Sequence, residues 1–287
     1  MSKEKFEVPQ ADDLVGVPSD RGEIREKIIS EFENLFGGIG GQKIEGFEIE
    51  KSERDIELID LANKAISEYL AKYKKDKSVN VPLSNVHLVE EGGTEKFTLG
   101  RFGGGAHSTL YGDMIVDRMQ SDLDFSLRLF HELFHARSYN AVQLTTAKEP
   151  GHRQLKEYRS GFKVTSRDGT KTYFSNVEEA IIGYMTKKFY NDFLVKEKSF
   201  SSEIEVLKRA GKEPNFSRSP EQEQGKKLVE KIYELNQTEF ESNEEIIELF
   251  VEAQITGNLL KVGRLIEKTF GKGSFRKLGE GEALERE

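Results

Sequence analysis

Ser121-Asp122-Leu123-Asp124-Phe125-Ser126-Leu127-Arg128-Leu129-Phe130-His131-Glu132-Leu133-Phe134-His135 is the stretch on which the reading of this chain turns. Ser121 followed by Asp124 is the pattern of a helix N-cap closed by a capping box. The residues after it are largely apolar, and no Gly or Pro interrupts the run from Asp122 to Leu144, so a buried helix is expected there. On a helix, positions i and i+4 share one face with Cβ atoms about 5–6 Å apart, so His131 and His135 can turn two imidazoles toward one metal ion. Glu132 projects beside that face, where its carboxylate can reach a metal-bound water without itself binding the metal. Two neutral nitrogen ligands, one unligated carboxylate and a rigid helix are what metal-assisted hydrolysis needs.

Catalytic zinc sites use three protein ligands and keep a further position open. The chain has no cysteine, which excludes Cys-containing sites. The metzincin extension needs Gly three and His six positions after the second histidine; Ser138 and Ala141 stand there instead. A carboxylate or a loop histidine remains. In Phe174-Ser175-Asn176-Val177-Glu178-Glu179-Ala180-Ile181-Ile182-Gly183-Tyr184, Ser175 or Asn176 is suited to cap a helix running through Lys188 or beyond, with both glutamates in its first turn. Acidic residues there also complement the helix dipole, worth about 0.3–1 kcal/mol. His152 lies in Pro150-Gly151-His152-Arg153, which reads as an exposed turn.

Together these two segments resemble the gluzincins, the thermolysin-like HExxH zinc metallopeptidases, whose third ligand is a Glu on a second helix downstream. In that family a polar residue commonly precedes the ligand Glu and a small one follows it. The resemblance, spread loosely over residues 85–270, implies His131, His135 and Glu179 as ligands of one Zn2+ per chain, with Glu178 and His152 as alternatives for the third. It implies Glu132 as general base and then general acid, and a peptide or protein substrate laid as an added strand on the sheet edge beside the metal helix. Leu110–Asp117, immediately upstream, reads as that strand. Tyr139, Tyr158, Tyr173, Tyr184 and His152 are candidates to assist an oxyanion. The implied fold is α+β and zincin-like: a small mixed or antiparallel sheet, an active-site helix and a C-terminal helical lobe. Gly183 stands where the family prototype has an Asp that orients a zinc histidine, so another acceptor is expected for that imidazole. Gly183 would also let the two site helices approach closely. Arg128 and Arg137 flank the motif where small or apolar residues are usual. Arg128 is one turn before His131 and Glu132, within reach of Glu132, Glu178 or a substrate carboxylate, although an exposed ion pair is the commoner fate. The competing reading is a catalytically silent zincin-fold module that binds or regulates a partner; a zinc hydrolase acting on a non-peptide amide is a third.

The 287 residues suffice for one large or two small packed units. With 43 Lys plus Arg against 51 Asp plus Glu, the net charge is −8 and no basic block suggests nucleic acid. The absence of cysteine fits a reducing compartment, the start lacks an apolar signal region, and no run is long enough to span a membrane; a cytoplasmic protein is expected.

Residues 1–45 read as an N-terminal extension: a polar leader over 1–20, a helix over Gly22–Phe36, then a glycine linker at Gly37–Gly41. Residues 46–278 read as the catalytic domain, α/β over 46–145 and mainly helical over 146–278, and 279–287 as a disordered tail. Within it, Ser52 and Asp55 open a helix to about Lys75. Strand-like runs follow near Val86–Glu90, Lys96–Leu99 and Ser108–Val116. Gly161–Thr165 and Thr170–Phe174 flank Asp168-Gly169 as a hairpin. Pro220–Asn236 and Asn243–Phe270 are helical, with Gly257 and Gly263 as possible breaks. Gly103-Gly104-Gly105-Ala106 and Gly271-Lys272-Gly273-Ser274 lack the remaining glycines of nucleotide-binding loops and read as turns.

Overall fold

The structure is a computed structural model and describes residues 13–15, 44–73, 80–100, 102–107, 113–145, 155–216 and 219–285. The expected helix Gly22–Phe36, the Gly37–Gly41 linker and His152 lie outside them. The architecture is α+β, with two small sheets and many helices.

The described chain opens with strand β1 (Asp13–Val15), so part of the expected loose leader is instead ordered backbone pairing. Helix α1 (Glu53–Ala71) follows, closed at its start by the reciprocal Ser52–Asp55 capping box. Its inner face carries Leu58, Ile59, Ala62, Ile66, Tyr69 and Leu70 at helical spacing, all buried. Strand β2 (Val86–Glu90) leads to a short helix α2 (Gly93–Phe97), where the sequence suggested a strand near Lys96–Leu99. The reason is a distant carboxylate: Asp117 accepts the amides of Gly92 (2.7 Å) and Thr94 (2.8 Å), which fixes a helical turn. Strands β3 (Gly105–His107) and β4 (Met114–Arg118) complete the first sheet, in the order β2-β4-β3. The β2–β4 pair is parallel and the β3–β4 pair antiparallel. The strand expected to receive substrate, Leu110–Asp117, therefore contributes β4, a central strand with neighbours on both sides. The edge beside the histidine helix is β3.

That helix is α3 (Asp122–Arg137), with Ser121 accepting the Asp124 amide at its N-terminus. It is buried around most of its circumference and touches α1, β3 and β4. The uninterrupted run to Leu144 does not stay helical. Ser138 ends the helix, its hydroxyl bonding back to the Phe134 carbonyl at 2.8 Å. The remainder becomes strand β5 (Asn140–Leu144), buried at every position. Strands β6 (Leu155–Ser160), β7 (Lys163–Thr165) and β8 (Thr172–Tyr173) build the second sheet, ordered β1-β5-β6-β7-β8. The β7–β8 hairpin turns at Asp168-Gly169 as expected, with Gly169 at φ +71°.

Helix α4 (Ser175–Asp192) starts from Phe174, which sits at φ +62° and donates its amide to the Gly279 carbonyl (2.7 Å). The expected side-chain cap from Ser175 or Asn176 is not formed: Phe174 takes the N-cap position, and both residues lie inside the helix. Helices α5 (Ser201–Arg209), α6 (Ser219–Leu235), α7 (Asn243–Thr256), α8 (Leu260–Phe270) and α9 (Ser274–Gly279) follow. Gly257, at φ +80°, separates α7 from α8, whereas Gly263 lies inside α8. Gly183 serves a different neighbour from the one expected: a Cβ there would come within 2.5 Å of Gln222 on α6, so it admits α6 and not α3. What joins α3 to α4 is aromatic packing, Phe130 stacking on Phe189 at 4.4 Å between ring centres. The tail expected to be disordered is tied down as far as it is described: Leu284 packs against the core and its carbonyl accepts from Lys231 at 2.8 Å.

Candidate metal centre

Three side chains from two helices meet at one point. His131 and His135, one turn apart on α3, bring their Nε2 atoms to 3.2 Å of each other. Glu179, just past the first turn of α4, where Glu178 alone of the acidic pair lies, sets Oε2 3.4 Å from His131 Nε2 and Oε1 3.7 Å from His135 Nε2. These three residues form a group able to hold a metal ion, the histidines buried and the carboxylate half-buried. Donors about 2.0–2.1 Å from a tetrahedral zinc are spaced by roughly 3.3 Å, so the observed separations suit such an ion closely.

Glu178 does something else. It is 1% exposed, and its Oε1 lies 2.9 Å from His135 Nδ1, on the side of the ring away from the donor cluster. The same carboxylate accepts the Lys163 amide (2.6 Å) and the Ser160 hydroxyl (3.4 Å), both from the β6–β7 hairpin. Glu178, the sequence's alternative third ligand, is therefore the acceptor that orients His135. A proton on Nδ1 facing Glu178 leaves the Nε2 lone pair free for a cation. The missing Asp at position 183 is accounted for. The hairpin is itself anchored: Phe162 donates its amide to Gln254 Oε1 on α7 (3.0 Å), and Gln254 Nε2 donates to Ser138 Oγ (2.9 Å).

Glu132 stays outside the donor group. Its Oε2 lies 3.2 Å from Nδ1 of His107, the last residue of β3, and the His107 ring stacks on His135 at 4.7 Å. Local sequence reading missed His107, which precedes α3 by a strand and shares no motif with it. The glycine run dismissed as a turn is the surviving signal. Gly105 lies in β3 against Glu132, where a Cβ would come within 2.8 Å of Oε1. Gly104 lies against Arg128, where a Cβ would meet Nη1 at 1.9 Å. The backbone entering β3 approaches α3 closely because both positions lack side chains.

Electrostatics follow from this arrangement. Burial alone would raise the Glu132 carboxyl, but the His107 hydrogen bond and the surrounding imidazoles lower it to about 2. Burial would lower His135, yet Glu178 and then Glu179 raise it to about 10. Glu179 is held well below the usual carboxylate range by the two histidines, against the effect of burial. Without a cation, a proton on His135 thus balances the carboxylates. His131 Nδ1 is buried with no hydrogen-bond partner among the described residues.

Of the candidate tyrosines, Tyr139 lies under Arg159 and against Gly257, and Tyr184 packs against the core. No protein-family profile, curated protein or solved structure matches this chain.

Proposed function

We propose that this chain is a zinc-dependent peptidase of zincin-like design, with His131, His135 and Glu179 as the metal ligands and Glu132 as the proton-transfer group. The observation that carries the reading is the division of labour among acidic groups. Glu179 faces both imidazoles, Glu178 orients one of them, and Glu132 is left beside the cluster, ionised and paired with His107. Two imidazoles and one carboxylate form the His₂Glu donor set of catalytic zinc. When bound, zinc would supply Lewis acidity and bring the pKa of a coordinated water to about 7.

The chain's own residues would do the rest. Glu132, kept as a carboxylate, would accept a proton from the attacking water and return it to the leaving amine. His107 would fix the direction of that carboxylate from the sheet side. Strand β3, whose outer side is paired with no described strand, would offer backbone groups to an extended peptide beside the base. No helix among the described residues is long and apolar enough to cross a membrane, which is compatible with a substrate in water.

The test pairs metal analysis of the purified full chain with a proteome-derived peptide library, comparing wild type with Glu132→Gln. The expected result is about one zinc per chain in both proteins and cleavage by the wild type alone. Cleavage surviving in Glu132→Gln would overturn the assignment of the base, and absence of zinc from metal-replete wild type would overturn the site.

A further inference from the structure

We propose that Arg128 determines substrate class at this site by binding a carboxylate of the peptide within about one residue of the scissile bond. The inference rests on the peptidase reading above and adds what that peptidase selects.

Position comes first. Arg128 is one helical turn before Glu132 on α3; Glu132 reaches Gly105, the first residue of β3, and Arg128 reaches Gly104, the residue that leads into it. The guanidinium lies against Gly104, with Nη1 and Cζ 1.9 and 2.4 Å from where a Cβ would be; the Glu132 carboxylate lies against Gly105. Neighbouring Cα atoms are about 3.8 Å apart, so the cationic head and the proposed base flank adjacent residues at the start of β3, Gly104 just before it and Gly105 within it. A peptide laid along that edge would pass both.

Charge balance comes second. Among the described residues no carboxylate stands within ion-pair distance of Arg128. Asp124, one turn earlier, acts on it only through space, and Glu132 is engaged by His107. The arginines nearby are treated otherwise. Arg54 bonds to Asp122 (2.8 Å) and Glu57 (3.0 Å), and Arg118 to Asp55 (2.6 Å) and Asp122 (2.5 Å). In a chain of net charge −8, one half-buried guanidinium beside the proposed base lacks the acidic partner those arginines have. Its planar fork matches a carboxylate through two parallel hydrogen bonds, a fit an ammonium does not offer. The carboxylate could belong to an Asp or Glu side chain or to the peptide's own C-terminus, and the experiment separates these sources.

The full-length, zinc-loaded Glu132→Gln protein is used so that nothing is turned over. It is incubated with a random peptide library prepared as free acids and as C-terminal amides, and the retained peptides are sequenced. Parallel samples carry Arg128→Gln or Arg128→Met in addition, two replacements of different polarity, each checked for folding by its melting curve. With Arg128 present, carboxylate-bearing peptides are expected to be enriched about ten-fold or more, the worth of a charge-assisted pair. Enrichment of Asp and Glu in both library forms identifies a side-chain carboxylate, and enrichment confined to free acids identifies the terminus. Either preference should vanish in both double variants. A retained pool of the same composition with and without Arg128, or one with no carboxylate preference, overturns the proposal. Cleavage by the wild type is scored separately: carboxylate-selective retention without any turnover would contradict the peptidase reading and leave the Arg128 site standing.

Discussion

Glu178 and Glu179 are one position and about 100° of helix rotation apart, so from the N-terminal end of α4 they serve opposite sides of the same imidazole. Glu179 faces His135 Nε2, while Glu178 accepts from Nδ1 and is held by the Lys163 amide. Replacing Glu178 by Ala should weaken zinc binding about 10–100-fold with the one-to-one stoichiometry kept, as removal of a ligand-orienting partner does. Competition with a chelator of known affinity measures this; an unchanged affinity would assign Glu178 to the helix terminus alone. At His107 the expectation differs, because the ring contacts the proposed base and is not a donor. His107→Ala should leave zinc content intact while lowering kcat about ten-fold or more, within the range attributed to positioned acid–base groups. A loss of zinc in that variant would instead make His107 part of the metal-holding group.

Strand β3 and the β6–β7 hairpin bring the chemistry together from the two sheets. Gly105 is the position to probe, since a strand normally welcomes a β-branched residue. A Cβ there would come within 2.8 Å of Glu132 Oε1, so Gly105→Val should push the carboxylate aside. Cleavage is expected to fall at least about 100-fold with zinc retained, whereas Ala106→Val, on the opposite face of the strand, should be far milder. Equal losses in the two variants would show that the close approach of β3 to α3 has no functional consequence. The elements also show where sequence reading succeeded and where it stopped. The histidine helix, its Ser121 cap and the acidic pair on a second helix are written in local spacing, and local spacing persists into structure. The end of α3 was hidden because Ser138 stops it without Gly or Pro. The α2 turn was hidden because its stabilising carboxylate, Asp117, comes from a strand far along the chain. His107 and the roles of Gly104 and Gly105 depend on β3 meeting α3, a juxtaposition that no window of neighbouring residues contains.

Taken as a whole, the metal-free molecule stores opposing titrations in its centre. His135, raised to about 10, contributes stability that is complete below the ordinary imidazole value of 6.5 and is lost as pH rises through about 10. Glu132, lowered to about 2, contributes above its ordinary value of 4.5 and stops doing so as pH falls toward 2. The chelated protein should therefore be most stable between about pH 4.5 and 6.5, and thermal melts across pH 3–10 should decline on both sides. A profile still rising from pH 7 to 9 would contradict the assignment of His135. Zinc requires that imidazole neutral, so its affinity should increase with pH over the same upper range.

Zinc stoichiometry after equilibrium dialysis, in wild type, His131→Ala, Glu179→Ala and Glu132→Gln, tests the centre most directly. About one ion per chain is expected in the wild type and in Glu132→Gln, with binding lost from the other two. A wild type that retains no zinc, or a Glu179→Ala protein that binds it as tightly as the wild type, would contradict the account.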